Sequence, residues 1–176
     1  NIWFVSSSID RDSAVVGRIN TKTNTIKTYP YIIEDFKYNE IVLNFRILEA
    51  DINKSIWLLE DKGQLRVFNR EKDTFELVVP TGSVIPGTGI KDTLKNIVNG
   101  KKHFVLTGIK GFYIWDAVKK ETKKSYTNIA GNNQFLSSDP LMFSFGDSEG
   151  QFWLLQDGGN ITVVNPDNNK VSKYAW

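Results

Sequence analysis

The 176 residues include no cysteine, a single histidine, a single methionine and five prolines. Without cysteine there are no disulfides, no thiol nucleophile and no thiolate zinc site. That absence leaves the compartment open, since an oxidising periplasm and a cytosol both accommodate it. No apolar run approaches the ~18 residues of a membrane span, so no membrane contact is expected within this chain. There is no excess of one charge either: 22 basic and 20 acidic residues give a net charge of +2. Nucleic acid is not expected as a partner, because neutralising phosphates takes a concentrated basic face. The basic clusters Lys101-Lys102 and Lys119-Lys120…Lys123-Lys124 read as solvated turn surface. No Gly-x-Ser-x-Gly elbow, phosphate loop or zinc-ligand pair occurs. The glycines of Gly82…Gly87-Thr88-Gly89-Ile90-Lys91 lack phosphate-loop spacing and read as a plain surface loop. The chain opens directly on Asn1-Ile2-Trp3, a strand pattern with no leader before it, and is expected to be a processed or excised piece of something longer.

Aromatics, by contrast, are abundant: 11 Phe, 6 Tyr and 5 Trp, a composition that favours strands. Their placement repeats. Anchor aromatics Trp3, Trp57, Phe104 and Trp153 are spaced 54, 47 and 49 residues apart. Polar anchors Asn20, Asn69, Asp116 and Asn165 follow at 49, 47 and 49. The distance from aromatic to polar anchor is 12 in copies two to four and 17 in copy one, which places an insertion in residues 6–13. An apolar residue stands six after the polar anchor in Ile26, Phe75 and Val171, while copy three has Thr122 there.

Each copy reads as strand, tight turn, strand, turn, strand. Asp61-Lys62-Gly63 and Asp157-Gly158-Gly159 carry hairpin chemistry, with Gly supplying positive φ. Asn165-Pro166-Asp167-Asn168 is a turn in which Pro presets φ and Asn bonds nearby backbone, and Asn20, Asn69 and Asp116 are expected to start the same turn. A further strand precedes the later copies at residues 41–48, 95–98 and 141–145. Asp51 and Asp147 each lie six residues before their Trp. Helical signal is poor; residues 32–36 and 88–94 could hold a turn, though Pro86, Gly87 and Gly89 oppose a longer helix.

The fold expected is all-β: about four repeats of a four-stranded antiparallel sheet, each of one β-propeller blade's size. The blades fall at about 1–31, 39–80, 93–128 and 139–176, the first without its first strand. Four blades sit at the low end for a closed propeller, so the chain reads as part of a larger one, with a homodimer as a further possibility at the unpaired edges.

The unit Ile56-Trp57-Leu58-Leu59…Gly63-Gln64-Leu65-Arg66-Val67-Phe68-Asn69…Asp73-Thr74-Phe75 resembles the two-component regulator propeller repeat. Asp147-Ser148-Glu149-Gly150 before Gln151-Phe152-Trp153 is similar to that family's junction into its Trp strand. The resemblance covers essentially the whole chain, best in copies two and four; copy three departs by Phe104 for Trp, copy one by its insertion. It implies the extracytoplasmic sensor of a membrane-anchored hybrid two-component system, periplasmic, dimeric and tuned to oligosaccharides, with a histidine kinase elsewhere in the parent protein. A protein-binding propeller scaffold and a propeller lyase or hydrolase are the alternatives on similar blade chemistry.

For this chain itself no enzymatic activity, cofactor or metal is expected, and no residue is assigned to ligand binding. His103 has no visible partner and reads as structural or surface. The carboxylates Glu34-Asp35, Glu60-Asp61 and Asp147/Glu149 fall in turns rather than in a glycosidase pair. Asp10-Arg11-Asp12 and Asp51-Ile52-Asn53 do not continue into a calcium loop. Trp3, Trp57 and Trp153 read as repeat core. Tyr113 and Trp115 share one side of a strand, where they either pack between blades or stack on a sugar. Function is expected where the copies differ, in residues 6–13 and 80–93.

Overall fold

The computed structural model describes residues 1–8, 13–32, 46–50, 54–60, 62–100, 102–127 and 141–175. They form fifteen strands in four antiparallel meanders. The first sheet is β1 (Ile2–Ser8), β2 (Ser13–Asn20) and β3 (Thr25–Ile32). The second is β4 (Arg46–Ala50), β5 (Ser55–Leu59), β6 (Leu65–Asn69) and β7 (Thr74–Val79). The third is β8 (Leu94–Asn99), β9 (Phe104–Gly108), β10 (Gly111–Asp116) and β11 (Glu121–Thr127). The fourth is β12 (Leu141–Gly146), β13 (Phe152–Gln156), β14 (Ile161–Asn165) and β15 (Lys170–Tyr174). The first strands of sheets two, three and four, β4, β8 and β12, are neighbours along one side of the array. The sheets are propeller blades in form, and among the described residues the array does not close into a ring.

The turn between the last two strands is one structure repeated four times. Its anchor side chain accepts two backbone N–H bonds: Asn20 from Lys22 and Thr23, Asn69 from Glu71 and Lys72, Asp116 from Val118 and Lys119, Asn165 from Asp167 and Asn168. Four residues after each anchor the chain passes through the left-handed region, at Asn24, Asp73, Lys120 and Asn169, with φ of 53°, 51°, 58° and 61°. A short polar side chain tolerates that conformation best, and three of the four are Asn or Asp.

Strand alternation sends successive side chains to opposite faces, so each sheet supplies two cores. One face, the front, carries Leu48, Trp57 and Val67 in sheet two, one cross-strand row. It packs on the back face of sheet three, where Phe104, Leu106, Tyr113 and Trp115 stand. The ring centroids of Trp57 lie 5.4 Å from Phe104 and 6.1 Å from Trp115. In the same manner Trp3 and Tyr29 of sheet one meet Phe68 and Phe75 of sheet two. Val98, Val105, Phe112 and Tyr126 of sheet three meet Phe152, Leu154 and Val164 of sheet four.

Pairing corrects the third repeat. Trp57 and Trp153 lie opposite the residue two before the polar anchor, Val67 and Val163. In sheet three the partner of that position, Ile114, is Val105, not Phe104. Phe104 therefore points to the other face, and the hairpin of sheet three is one residue shorter than its counterparts. The apolar sixth residue is also replaced there: Thr122 pairs with Trp115 beside a bulge.

Residues 80–93 are not a plain surface loop. Ile85 and Ile90 are buried in the core between sheets two and three. Ile85 donates its N–H to Ile90 O, and Val84 and Lys91 form a β-bridge, so the segment is a small hairpin rather than a helical turn. The expected strand start at 41–45 and helical turn at 33–36 lie outside the described residues.

Polar ties join the sheets at the turn end. Asp73 of sheet two accepts from Tyr29 Oη at 2.7 Å and pairs with Lys27 and Arg18 of sheet one. Burial and the Asp73 hydrogen bond push the Tyr29 phenol up to about 12. His103 and Lys102 of sheet three hold Asp167 of sheet four at 2.9 and 2.7 Å.

Two outcomes follow from this packing. Trp57→Ala removes a fully buried indole from the central interface and is expected to cost about 3–5 kcal/mol, read as a lowered urea midpoint. The raised Tyr29 pKa means the folded state holds the phenolic proton more tightly than the unfolded chain. That stability is complete below about pH 10 and is lost as pH rises through about 12. Tyrosine absorbance should show late-titrating phenols for Tyr29 and Tyr113, and of these the Tyr29 one should move to lower pH in Asp73→Ala.

Candidate functional site

Because each sheet is a meander, its second-to-third-strand hairpin and its connection to the next sheet emerge at the same end. The anchored turns lie at the opposite end. Gly63, at φ 80° in the β5–β6 hairpin, shows the juxtaposition directly: a Cβ there would lie 2.6 Å from Leu94 O at the start of β8. Of the two segments where the copies differ, residues 80–93 and the described flanks of the first, residues 6–8 and 13, thus belong to one end of the array. Residues 9–12 lie outside the described residues.

At this end, on the back face, sheets two and four each carry a polar pair between the second and third strands, and sheet three carries one between its third strand and the incoming connection. In sheet two Glu60 meets the Arg66 guanidinium. Burial raises the Glu60 carboxyl above its ordinary range, with the Arg66 charge opposing that rise. In sheet four Thr162 Oγ1 donates to Gln156 Oε1 at 3.1 Å, both groups buried. Sheet three has Gly108 where Glu60 and Gln156 stand. A Cβ on Gly108 would lie 2.2 Å from Asp92 Oδ2. Asp92, from the 80–93 connection, takes the missing acceptor's place. It receives Tyr113 Oη at 2.6 Å and the backbone N–H groups of Lys110 and Thr93. Burial, then the Asp92 hydrogen bond, drives the Tyr113 phenol well above its usual range. The sequence reading did not single out Asp92, which stands between Lys91 and Thr93 in a stretch of mixed polarity that carries no signal for it.

The remaining sequence candidates are placed as follows. Tyr113 and Trp115 are buried between sheets two and three, so of the two readings the inter-blade one holds. Trp57 is core; Trp3 is partly buried against the first interface; Trp153 lies on the front face of sheet four with Phe145 stacked on it, ring planes 5° apart. His103, expected to lack a partner, has one in Asp167, its Nε2 2.9 Å from the carboxylate Oδ1 across the joint between sheets three and four. Asp147 caps its turn through Glu149 and Gln151 N–H and accepts the Trp153 indole N–H at 2.8 Å. That bond, with the backbone ones, holds its carboxyl below the ordinary range. The six-residue spacing of Asp147 and Trp153 is therefore structural, whereas the Trp57 indole N–H donates to Ser55 Oγ at 2.6 Å. Glu34-Asp35, Asp61, Asp10-Arg11-Asp12 and Asp51-Ile52-Asn53 lie outside the described residues. Among the described residues no three His, Asp or Glu side chains converge as a metal site would require.

One open depression of about 300 Å³ lies on the front of sheet four, between Trp153, Asn165, Asn168, Lys170, Ser172 and Tyr174. It is at the turn end, away from the varied connections.

Neither the protein-family models nor the curated proteins contain a match to this chain. Its fold has a solved counterpart. The structure described as the extracellular domain of a hybrid two component system from B. thetaiotaomicron aligns over 96% of this chain at 16% identity, with a TM-score of 0.50. The chain spans 21% of that neighbour's length. At such identity the likeness establishes the fold of the blades and their succession. No helix among the described residues is long and apolar enough to cross a membrane.

The borrowed acceptor in sheet three gives a direct test. Tyr113→Phe deletes a hydrogen bond to a buried carboxylate and is expected to lower stability by about 2 kcal/mol. Asp92→Ala should cost more, since it also leaves the Lys110 N–H without its acceptor. Gly108→Ala should destabilise comparably by steric conflict. Chemical denaturation of the three variants reads the order.

Proposed function

We propose that these sheets belong to the extracytoplasmic sensor propeller of a two-component signalling regulator, and that the propeller recognises an oligosaccharide without turning it over. The observation that carries the reading is the repeat itself. Its Trp strand, Gly-Leu strand, anchored turn and Asp-to-Trp junction resemble the two-component regulator propeller repeat. The fold likeness to an extracellular domain of a hybrid two component system, over nearly the whole chain, supports the same assignment. In this reading the parent protein is anchored in the inner membrane, carries its kinase on the cytoplasmic side and contributes further blades.

The loop end is where the ligand would bind. There the copies differ in sequence, and there the connections lie over acid, amide, guanidinium and phenol groups that are largely buried and paired with one another. Binding without turnover fits how the carboxylates are used. Glu60 is tied to Arg66, Asp92 to Tyr113 and backbone, Asp147 to Trp153 and backbone.

The experiment is thermal unfolding of the propeller that contains this chain, against a panel of plant and host oligosaccharides. A ligand that binds only the folded state stabilises it by about 2.7 kcal/mol at a hundredfold excess over Kd. The expected result is a raised Tm with one glycan class and no consumption of it. A flat response of the intact propeller across the panel would overturn the glycan reading and leave protein binding as the function of the loop end.

A further inference from the structure

Among the described residues nothing covers the front face of sheet four. Phe143, Phe145, Leu155 and Tyr174 are 55%, 47%, 41% and 56% exposed. The other three sheets show what this face is for, because the same cross-strand positions recur in each. The outer residue of one row is Tyr29 in sheet one, Val79 in sheet two, Tyr126 in sheet three and Tyr174 in sheet four. The first three are buried, each against the following sheet; only Tyr174 is open. The adjacent row ends in Lys27, Glu76, Lys124 and Ser172.

That second row meets a specific part of the following sheet. Lys27 pairs with Asp73, and Lys124 bonds Asn169 Oδ1. Glu76 is held below its ordinary range by the Lys72 and Asn69 hydrogen bonds and by the charges of Lys72 and Lys120. Asp73, Lys120 and Asn169 all occupy the left-handed position four residues after the turn anchor. The turns of sheets two and four thus reach back and latch onto the sheet before them, Asp73 on Lys27 and Asn169 on Lys124; at the middle joint Glu76 is bonded within its own sheet by Asn69 and Lys72, and Lys120 acts on it only through its charge.

We infer that the front of sheet four is the seat of a further sheet of this same repeat, carrying Asp or Asn at its left-handed turn position. The depression bounded by Trp153, Asn168, Lys170, Ser172 and Tyr174 is where that latch side chain rests. Its lining offers an ammonium, a hydroxyl and a phenol, donors suited to a carboxylate or amide. Sheet one is the nearest precedent. It too presents a Tyr in the first row and a Trp in the second, and it receives Phe68, Phe75 and Asp73 of sheet two. The inference does not depend on what the propeller senses.

The test extends the full chain with a second copy of residues 33–79, whose sheet already seats on the Trp3 and Tyr29 face. Hydroxyl-radical oxidation, read by mass spectrometry, reports the exposure of Trp153 and Tyr174, with buried Trp57 as the internal control for folding. The expected result is a several-fold slower oxidation of Trp153 and Tyr174 in the extended chain. Changing the appended copy's Asp73 equivalent to Lys should restore fast oxidation while Trp57 stays slow. Unchanged oxidation of Trp153 and Tyr174 on extension would overturn the proposal. So would equal protection by the Lys-bearing copy, which would remove the latch. Protection that rises with concentration in the unextended chain would also overturn it, by naming a second copy as the occupant.

Discussion

Face-to-face packing of consecutive sheets governs everything else in this chain. A strand alternates its side chains between two faces, and here both faces of sheets two and three are apolar. Neither sheet could stand in water by itself. Trp57, Leu59 and Leu65 are buried because Phe104, Leu106 and Tyr113 cover them; Ile56 and Leu58 are buried because Trp3, Val5 and Tyr29 lie across from them. Stability in such an array is a property of neighbours rather than of units, as in other repeat proteins. Burial follows position accordingly. The two middle sheets supply most of the fully buried large side chains, while the front of sheet four keeps its aromatics in solvent.

Packing of this kind needs a device that sets which sheet follows which, since apolar surfaces alone discriminate poorly. The anchored turns provide one. The Asn or Asp anchor fixes the turn through two backbone bonds, and the turn then projects one left-handed residue toward the preceding sheet. These contacts are partly exposed, and exposed ion pairs contribute little to stability. Their value lies in discrimination: an Asp73 facing Lys27 would meet repulsion if placed against Glu76. His103 acts at the same end, with Lys102, on Asp167.

Sequence made the anchored turn legible because its chemistry is local. An Asn accepting bonds two and three residues on leaves the same mark in every copy, and four marks at near-constant spacing define the repeat. The third aromatic anchor was misplaced for an equally physical reason. In a strand apolar on both faces, as Phe104-Val105-Leu106, alternation does not say which residue faces which way. A hairpin shortened by one residue then moves the aromatic to the opposite face. Residues 80–93 read as surface because Pro and Gly punctuate them, yet Ile85 and Ile90 find a core that only the folded array creates. Asp92 was illegible for the same reason. Its partner Tyr113 lies 21 residues away, and its role exists only because Gly108 leaves room.

The division of labour between the two ends bears on function. At the turn end, the repeated positions are occupied by anchors and latches, and their polar atoms are engaged in holding turns and sheets. A ligand there would compete with the assembly. At the loop end the fold asks only that each polar pair be satisfied. It meets that demand in three ways: an acid with a guanidinium, an amide with a hydroxyl, and a phenol with a carboxylate supplied by a neighbouring connection. The third solution shows the connection entering the sheet's own polar network. A change in the connection is then felt by β9 and β10 through Asp92. Recognition placed on such connections can vary between copies without disturbing the packing that orders the sheets.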